Sequence, residues 1–372
     1  MESPRLSTFG EDLAASDRLL CCSVLCLMMW GVLCIFSAAS GFSGRGMEFA
    51  VRQLGWVAVV CAAYSSVLAV GYEKFLDMAY LIYGLTLLLL FFMDLTAPTV
   101  KGAQRWISLG VVRLQPSEFA KISLILLLSK FLSRYPPLTL RTFLAGWGIG
   151  MPVILLLLGQ PDLGSALVYL FIMLCVIFVA GAPFRYLCAM MGLGVGLLPF
   201  AWFFLRDYQK MRLLVFLDPT RDPLGAGYNA IQSRIAVGSG SFWGKGFLQG
   251  QQSKLRFLPE PHTDFIFSVY AEEFGFWGTT LLLLIFGIIF MRLVNTGMKS
   301  RDMRGKLLVT GVAAWIWFQM FENIGMSMGL MPITGITLPF LSYGGSSLIA
   351  ISIALGLVGS VYVGSAKRYK QL

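Results

Sequence analysis

The residues best placed for chemistry lie between Leu258 and Phe267, in Leu-Pro-Glu-Pro-His-Thr-Asp-Phe-Ile-Phe. This stretch holds Asp264 and the only histidine of the chain, His262. A polar, glycine-rich segment precedes it and a long apolar run follows, so Asp264 falls where water gives way to hydrocarbon. An ionisable side chain at that boundary is a functional candidate by default. A lone carboxylate there can serve as general base toward a hydroxyl. His262 has no second histidine with which to hold a metal and is read as a positioning group.

Two further acidic positions stand at the starts of apolar runs. Pro116-Ser117-Glu118 opens one, with Lys121 three residues on and therefore on the same helix face. Pro and an acid in a first turn are ordinary helix-start signals, so capping and an intramembrane ligand pair both stand as readings of Glu118 and Lys121. Asp162, in Gln160-Pro161-Asp162-Leu163-Gly164, is either the N-cap of the next helix or a second acid facing the same cavity.

The neighbouring loops supply cations and glycines. Lys101 to Gln115 alternates basic residues, Arg105 among them, with Trp106 and apolar side chains, which suits an interfacial segment. Residues 206–263 carry Arg212 and the run Gly238-Ser239-Gly240-Ser241-Phe242-Trp243-Gly244-Lys245-Gly246. Those glycines, with Lys245, either cradle phosphate oxygens or simply connect two helices over the membrane surface. The run is no nucleotide P-loop, because Ser239 and Gly246 stand where that motif needs Gly and Ser or Thr. Adjacent acids Glu272 and Glu273 face the interior or cap a kink at Gly275. Gly329 to Ser347 is apolar yet broken by Pro and Gly, and non-helical backbone at that depth is buried in protein or lines a cavity.

The elements that must position these groups are membrane helices. The chain has 372 residues, 57% of them hydrophobic and 13% charged, with many uncharged runs of about 20 residues. An all-α polytopic membrane protein follows, with about ten spans near 19–39, 51–71, 75–93, 117–133, 142–159, 163–181, 184–205, 264–293, 307–328 and 345–366. The first run resembles a signal peptide, but its apolar core exceeds the usual length and it is read as a retained span. A single transmembrane domain over 1–372 is expected, with a cytoplasmic tail at 1–18 and a large extracytoplasmic loop at 206–263 between the seventh and eighth helices. Lys and Arg are nearly balanced between the two sides. Leaving aside 206–263, the excess falls on the side of the termini, which places both in the cytoplasm. The net charge of +10 sits in short clusters between apolar runs, so the anionic neighbours are lipid headgroups and not nucleic acid. All seven cysteines lie inside apolar runs, with neither a disulfide framework nor a zinc spacing.

A basic glycine-rich loop, a broken apolar stretch and a few carboxylates at one surface suit an amphiphilic anionic substrate arriving from the bilayer. A polyprenyl pyrophosphate fits, its tail among the spans and its phosphates on Arg and Lys. Sugar transfer from a pyrophosphate needs no general acid, since the leaving group is already a stable anion, and Asp264 is the candidate base. The alternatives are a flippase or transporter for a lipid-linked precursor, which predicts charges reaching both leaflets, and a non-catalytic scaffold. No internal repeat of the transporter kind is visible.

Ordered motifs carry a resemblance. Gly102-Ala103-Gln104-Arg105-Trp106-Ile107, Gln115 to Lys121, Gln160 to Gly164, Asp218 to Tyr228, Pro259 to Phe265, and Leu338-Pro339-Phe340-Leu341-Ser342-Tyr343-Gly344-Gly345-Ser346-Ser347 together resemble the SEDS family. Asp222 to Tyr228 and Gly244-Lys245-Gly246 look more like the member that serves elongation than the one that serves division. Thr337 departs from the family's usual Pro before Leu-Pro-Phe. The resemblance implies a ten-helix peptidoglycan glycosyltransferase of the bacterial cytoplasmic (inner) membrane. It implies polymerisation of lipid II beside a class B penicillin-binding protein within the elongation machinery. It also implies Asp264 as the essential carboxylate, Glu118 and Lys121 as a polar pair lining a central cavity, and Asp162, Arg105, Trp106, Arg212, Lys245, His262 and Ser342 as substrate-binding candidates. A loosely bound divalent cation, magnesium or manganese, is associated with the family's activity, with no dedicated metal site in this sequence.

Overall fold

The computed structural model describes residues 15–43, 45–96, 107–109, 112–160, 162–255 and 257–370. Arg105 and Trp106 lie outside the described residues, as do most of Lys101 to Ile107 and the tail before residue 15. The helices run α1 Arg18–Ser43, α2 Gly46–Val70, α3 Tyr72–Asp77, α4 Ala79–Thr96, α5 Pro116–Arg134, α6 Leu140–Gly159, α7 Leu163–Val179 and α8 Phe184–Phe204. They continue as α9 Asp207–Leu217, α10 Ala226–Ser239, α11 Gln251–Lys254, α12 Ile266–Lys299, α13 Met303–Met328 and α14 Gly345–Lys370. Before α5 lies one antiparallel hairpin, β1 Ile107–Leu109 with β2 Val112–Leu114, in the register Ile107↔Leu114 and Leu109↔Val112.

Among the described residues six helices, α1, α2, α6, α12, α13 and α14, are long and apolar enough to cross a membrane, and shorter apolar helices occur in α4, α7 and α8. The protein is a multi-pass membrane protein. Helix α5 is also apolar along most of its length but carries Glu118, Lys121, Lys130 and Arg134, and it buries nearly its whole surface in the bundle. Helix α13 is the hub, packing on α5, α7, α10, α12 and α14. Small residues let these helices approach: a Cβ on Gly311 of α13 would come within 2.8 Å of Ile125 on α5.

The segment 206–263, expected as a large loop between two spans, contains helices α9, α10 and α11. Its α9 and α10 dock beside the bundle, and α10 turns Gly227, Ala230, Ser233 and Ala236 inward. A buried face made of small and polar residues gives almost no hydrophobic periodicity, which is why this helix is faint in the sequence.

The glycine-rich run after α10 braces a break in α12. Gly275 has φ 61 and ψ −158, a conformation open essentially to glycine alone, and it kinks α12, one of the two readings the sequence leaves open. Backbone groups freed by the kink are met by the run itself. Lys245 N donates to Glu272 O at 2.9 Å, Gly246 N to Glu273 O at 3.0 Å, and Phe276 N to Ser241 O at 2.8 Å. A Cβ on Gly240 would lie 2.0 Å from Ala271 O and one on Gly244 2.1 Å from Glu273 O, so these glycines serve close backbone docking. Lys245 N and Gly246 N are thereby spent on α12 and Gly244 N donates to Gly240 O within the run, which favours the connector reading of Gly238 to Gly246 over the phosphate cradle.

Candidate active site

Asp264 sits in the turn that leads into α12, half-buried, and its position is fixed through backbone anchors. Asn323 of α13 donates its side-chain amide to Asp264 O at 2.8 Å and to Ile336 O at 2.7 Å. Ser342 Oγ donates to Thr263 O at 2.7 Å and accepts from Leu338 N at 2.8 Å. Tyr343 N donates to His262 O at 2.9 Å. The turn at 258–265 and the broken stretch at 329–344 therefore form one unit, and the non-helical backbone at this depth is satisfied within protein.

Gly335 lies beneath the Asp264 carboxylate. Its φ is 80, and a Cβ there would stand 3.3 Å from Asp264 Oδ2. A side chain at 335 would crowd the space beside the carboxylate, and glycine leaves it open.

A second carboxylate stands nearby. Glu322, one residue before Asn323 and 2% exposed, accepts a hydrogen bond from Thr334 Oγ1. Arg212 of α9 donates through Nη1 to Thr334 O at 3.1 Å, on the same residue. Asp264, Arg212 and Asp162 all act electrostatically on Glu322. Arg212 thus supplies the positive charge of a small acidic cluster, and it does so from the segment expected to be a loop.

Asp162 is the N-cap of α7, accepting from Ser165 N at 3.2 Å and Ser165 Oγ at 2.8 Å. The capping reading describes its bonds, and its field still reaches Glu322. Glu118 and Lys121 pair at 2.6 Å with side chains 7% and 1% exposed, and the ammonium lies 4.8 Å over the Trp315 ring. Tyr169 links the two regions. It donates to Ser117 O at 2.6 Å and lies in the fields of both Glu118 and Asp162. A polar seam therefore runs from Lys121 and Glu118 past Tyr169 and Asp162 to Glu322 and Asp264. Its Glu118–Lys121 end is sealed in the bundle.

Other candidates fall outside that cluster. Lys245 pairs with Glu272 at 2.7 Å, and Glu272 also accepts from Gln251 N at 2.9 Å, about two helical turns along α12 from Asp264. His262 is buried between Phe49, at 4.9 Å between ring centroids, and Tyr343, at 5.9 Å. Burial lowers its pKa below the ordinary histidine value, opposed by the Glu260 carboxylate. Among the described residues no three His, Cys, Asp or Glu side chains are grouped to hold a metal ion. Glu322 and Asn323 were not singled out in the sequence, although both are polar residues inside an apolar run, which is the signal that marks intramembrane function.

Together, the bundle, the broken stretch at one end and the carboxylate held above it define a multi-pass membrane protein with a candidate enzymatic site built where helices α7, α12 and α13 begin or end. The family model for FtsW, RodA and SpoVE, described as cell cycle protein, matches residues 17–367, and the chain belongs to this family. It is similar to the peptidoglycan glycosyltransferase MrdB of Escherichia coli K12, at 38% identity over 97% of each chain, and to the peptidoglycan glycosyltransferase RodA of Treponema pallidum, at 35% identity over 93% of this chain and 97% of the relative. A chain from a structure described as a peptidoglycan synthase complex coordinating polymerization and crosslinking superposes with TM-score 0.81 at 34% identity, covering 94% of this chain and 98% of that one. The crystal structure of the rod shape determining protein RodA from Thermus thermophilus superposes with TM-score 0.70 at 32% identity, covering 93% and 96%. Within its family the chain is RodA-like.

Proposed function

We propose that this chain is a peptidoglycan glycosyltransferase that polymerises lipid II, with Asp264 as general base. The observation that carries the reading is Asp264 itself, its backbone carbonyl pinned by Asn323 and its carboxylate left open by Gly335 at the end of an apolar bundle. An acceptor sugar hydroxyl gives its proton to an Asp264 oxygen as its own oxygen attacks the anomeric carbon of the donor. The bond from that carbon to the pyrophosphate breaks, and its electron pair leaves with the polyprenyl pyrophosphate. One positioned base contributes about 10²- to 10⁴-fold, and Arg212, bonded to Thr334 O, adds positive charge beside the acids where phosphate charge would develop. The donor set fits only a divalent ion carried in with the pyrophosphate, Asp264 being its protein ligand, and such an ion would neutralise charge on the leaving group.

The same reading places the chain in the bacterial cytoplasmic membrane, both termini and the basic stretch Arg292 to Lys306 on the cytoplasmic side and Asp264 on the outer side. Its partner is a class B penicillin-binding protein of the elongation machinery, supported by the likeness to a chain of a synthase complex.

Purified protein given lipid II alone provides the test. Glycan polymer is expected from the parent and not from Asp264→Asn, with both folded. Equal polymer from the variant would remove Asp264 from the mechanism, and lipid translocation in vesicles without any polymer would replace the enzyme with a flippase.

A further inference from the structure

A second cavity lies at the far ends of the helices that build the active site. Phe171 and Cys175 of α7, Phe290 of α12, and Lys306, Ala313 and Trp317 of α13 line an open crevice of about 390 Å³. From Ile266 to Phe290 the path along α12 is roughly 36 Å at 1.5 Å per residue, so this space is not a lobe of the Asp264 site. It lies at the level of the opposite leaflet.

Its walls are almost wholly apolar, and one charge stands among them. Lys306 is half-buried and makes no ion pair among the described residues. The hydroxyl of Thr310, which also lines the space, already donates to Lys306 O at 2.9 Å. The rim exposes Phe178, Phe290 and Met298, at 56%, 39% and 70%, so the mouth opens to hydrocarbon. Lys299, the last residue of α12, and Arg301, in the turn that follows, are exposed and bring positive charge to the chain just after the lining residue Met298. An apolar slot open to the acyl layer, with ammonium at its mouth and more cations at headgroup height, is complementary to a lipid bearing negative charge. A transmembrane helix, about 10 to 12 Å across, is too wide to enter a space of this size.

We propose that this cavity is a binding site for an anionic phospholipid, one acyl chain between α7, α12 and α13 and the headgroup phosphate on Lys306. The lipid comes from the leaflet opposite Asp264, and it bridges three helices whose other ends carry the site.

Native mass spectrometry of the purified full chain, titrated with phosphatidylglycerol or with phosphatidylcholine of the same chains, tests this. One phosphatidylglycerol is expected to be retained in strong preference to phosphatidylcholine. Lys306→Glu, which reverses the charge at the mouth, and Cys175→Trp, which fills the slot, are each expected to weaken retention by about tenfold. Where Cys175→Trp fails to fold, Ala313→Leu fills the same space from α13. Equal retention of the two lipids, or retention indifferent to the charge and filling variants, overturns the proposal. So does a preparation that holds no lipid but carries a partner helix over the mouth.

Discussion

Asn323 holds Asp264 by its backbone and not by its carboxylate: one side-chain amide spans the carbonyls of Asp264, at 2.8 Å, and Ile336, at 2.7 Å. The turn bearing the proposed base and the stretch bearing Gly335 are thereby kept in one arrangement. Replacing Asn323 with Ala leaves two carbonyls to find other donors, at a cost of about 1–3 kcal/mol. A misplaced base costs more in rate than in stability, on the order of 10²-fold. Melting temperature and lipid II polymerisation measured on Asn323→Ala should show a modest loss of the first and a large loss of the second. Unchanged polymerisation would mean that Asp264 is held without Asn323.

The sequence made part of this site legible because part of it is local. Asp264 shows as an acid at the edge of an apolar run, Asp162 as a cap, Gly275 as a kink, and Glu118 with Lys121 as a pair at helical spacing. Asn323 and Glu322 show in the sequence only as polar residues inside an apolar run, and their partners emerge on folding, since Asn323 lies 59 residues from Asp264 in sequence. The docking of Gly240 and Gly244 on α12 is backbone against backbone, and such contacts leave no side-chain pattern to read. The helices within 206–263 were obscured for a related reason, small residues on the buried face of α10 giving no hydrophobic stripe.

Breaking the Glu118–Lys121 pair should be costly in one direction and mild in the other. Lys121→Met leaves the Glu118 carboxylate buried without its cation, a loss of about 3–5 kcal/mol. Combining Glu118→Gln with Lys121→Met removes both charges and should return most of the melting temperature. Thermal unfolding of the two single variants and the double variant decides this. A double variant as unstable as Lys121→Met would show that the pair is held by more than mutual neutralisation.

His262 should make the fold sensitive to acid. Its folded pKa is lowered by burial, so the neutral ring is favoured in the folded protein. The stability it contributes is complete above the unfolded value of about 6.5 and declines as pH falls below it toward the folded value. Melting temperatures from pH 8 to pH 5 should fall more steeply for the parent than for His262→Phe, which keeps the ring contacts to Phe49 and Tyr343 without a titrating nitrogen. Parallel curves would assign the acid sensitivity to other groups.

Gly275 is a position where a single methyl group should do local damage. With φ 61 and ψ −158 it occupies a backbone region that costs other residues about 1–3 kcal/mol. The added Cβ would also lie 2.3 Å from Gly244 N and 2.8 Å from Gly240 O, both backbone atoms that cannot rotate away. Gly275→Ala should therefore push the 240–246 run off α12, loosening the hydrogen bonds from Lys245 N and Gly246 N to Glu272 and Glu273 carbonyls. Hydrogen exchange at Lys245, Gly246 and Phe276 amides should rise, while the amides near Trp315, deep in α13, stay protected. Exchange that rises across the whole bundle would show that the brace supports global stability, and exchange that does not rise at all would show that the kink tolerates a side chain.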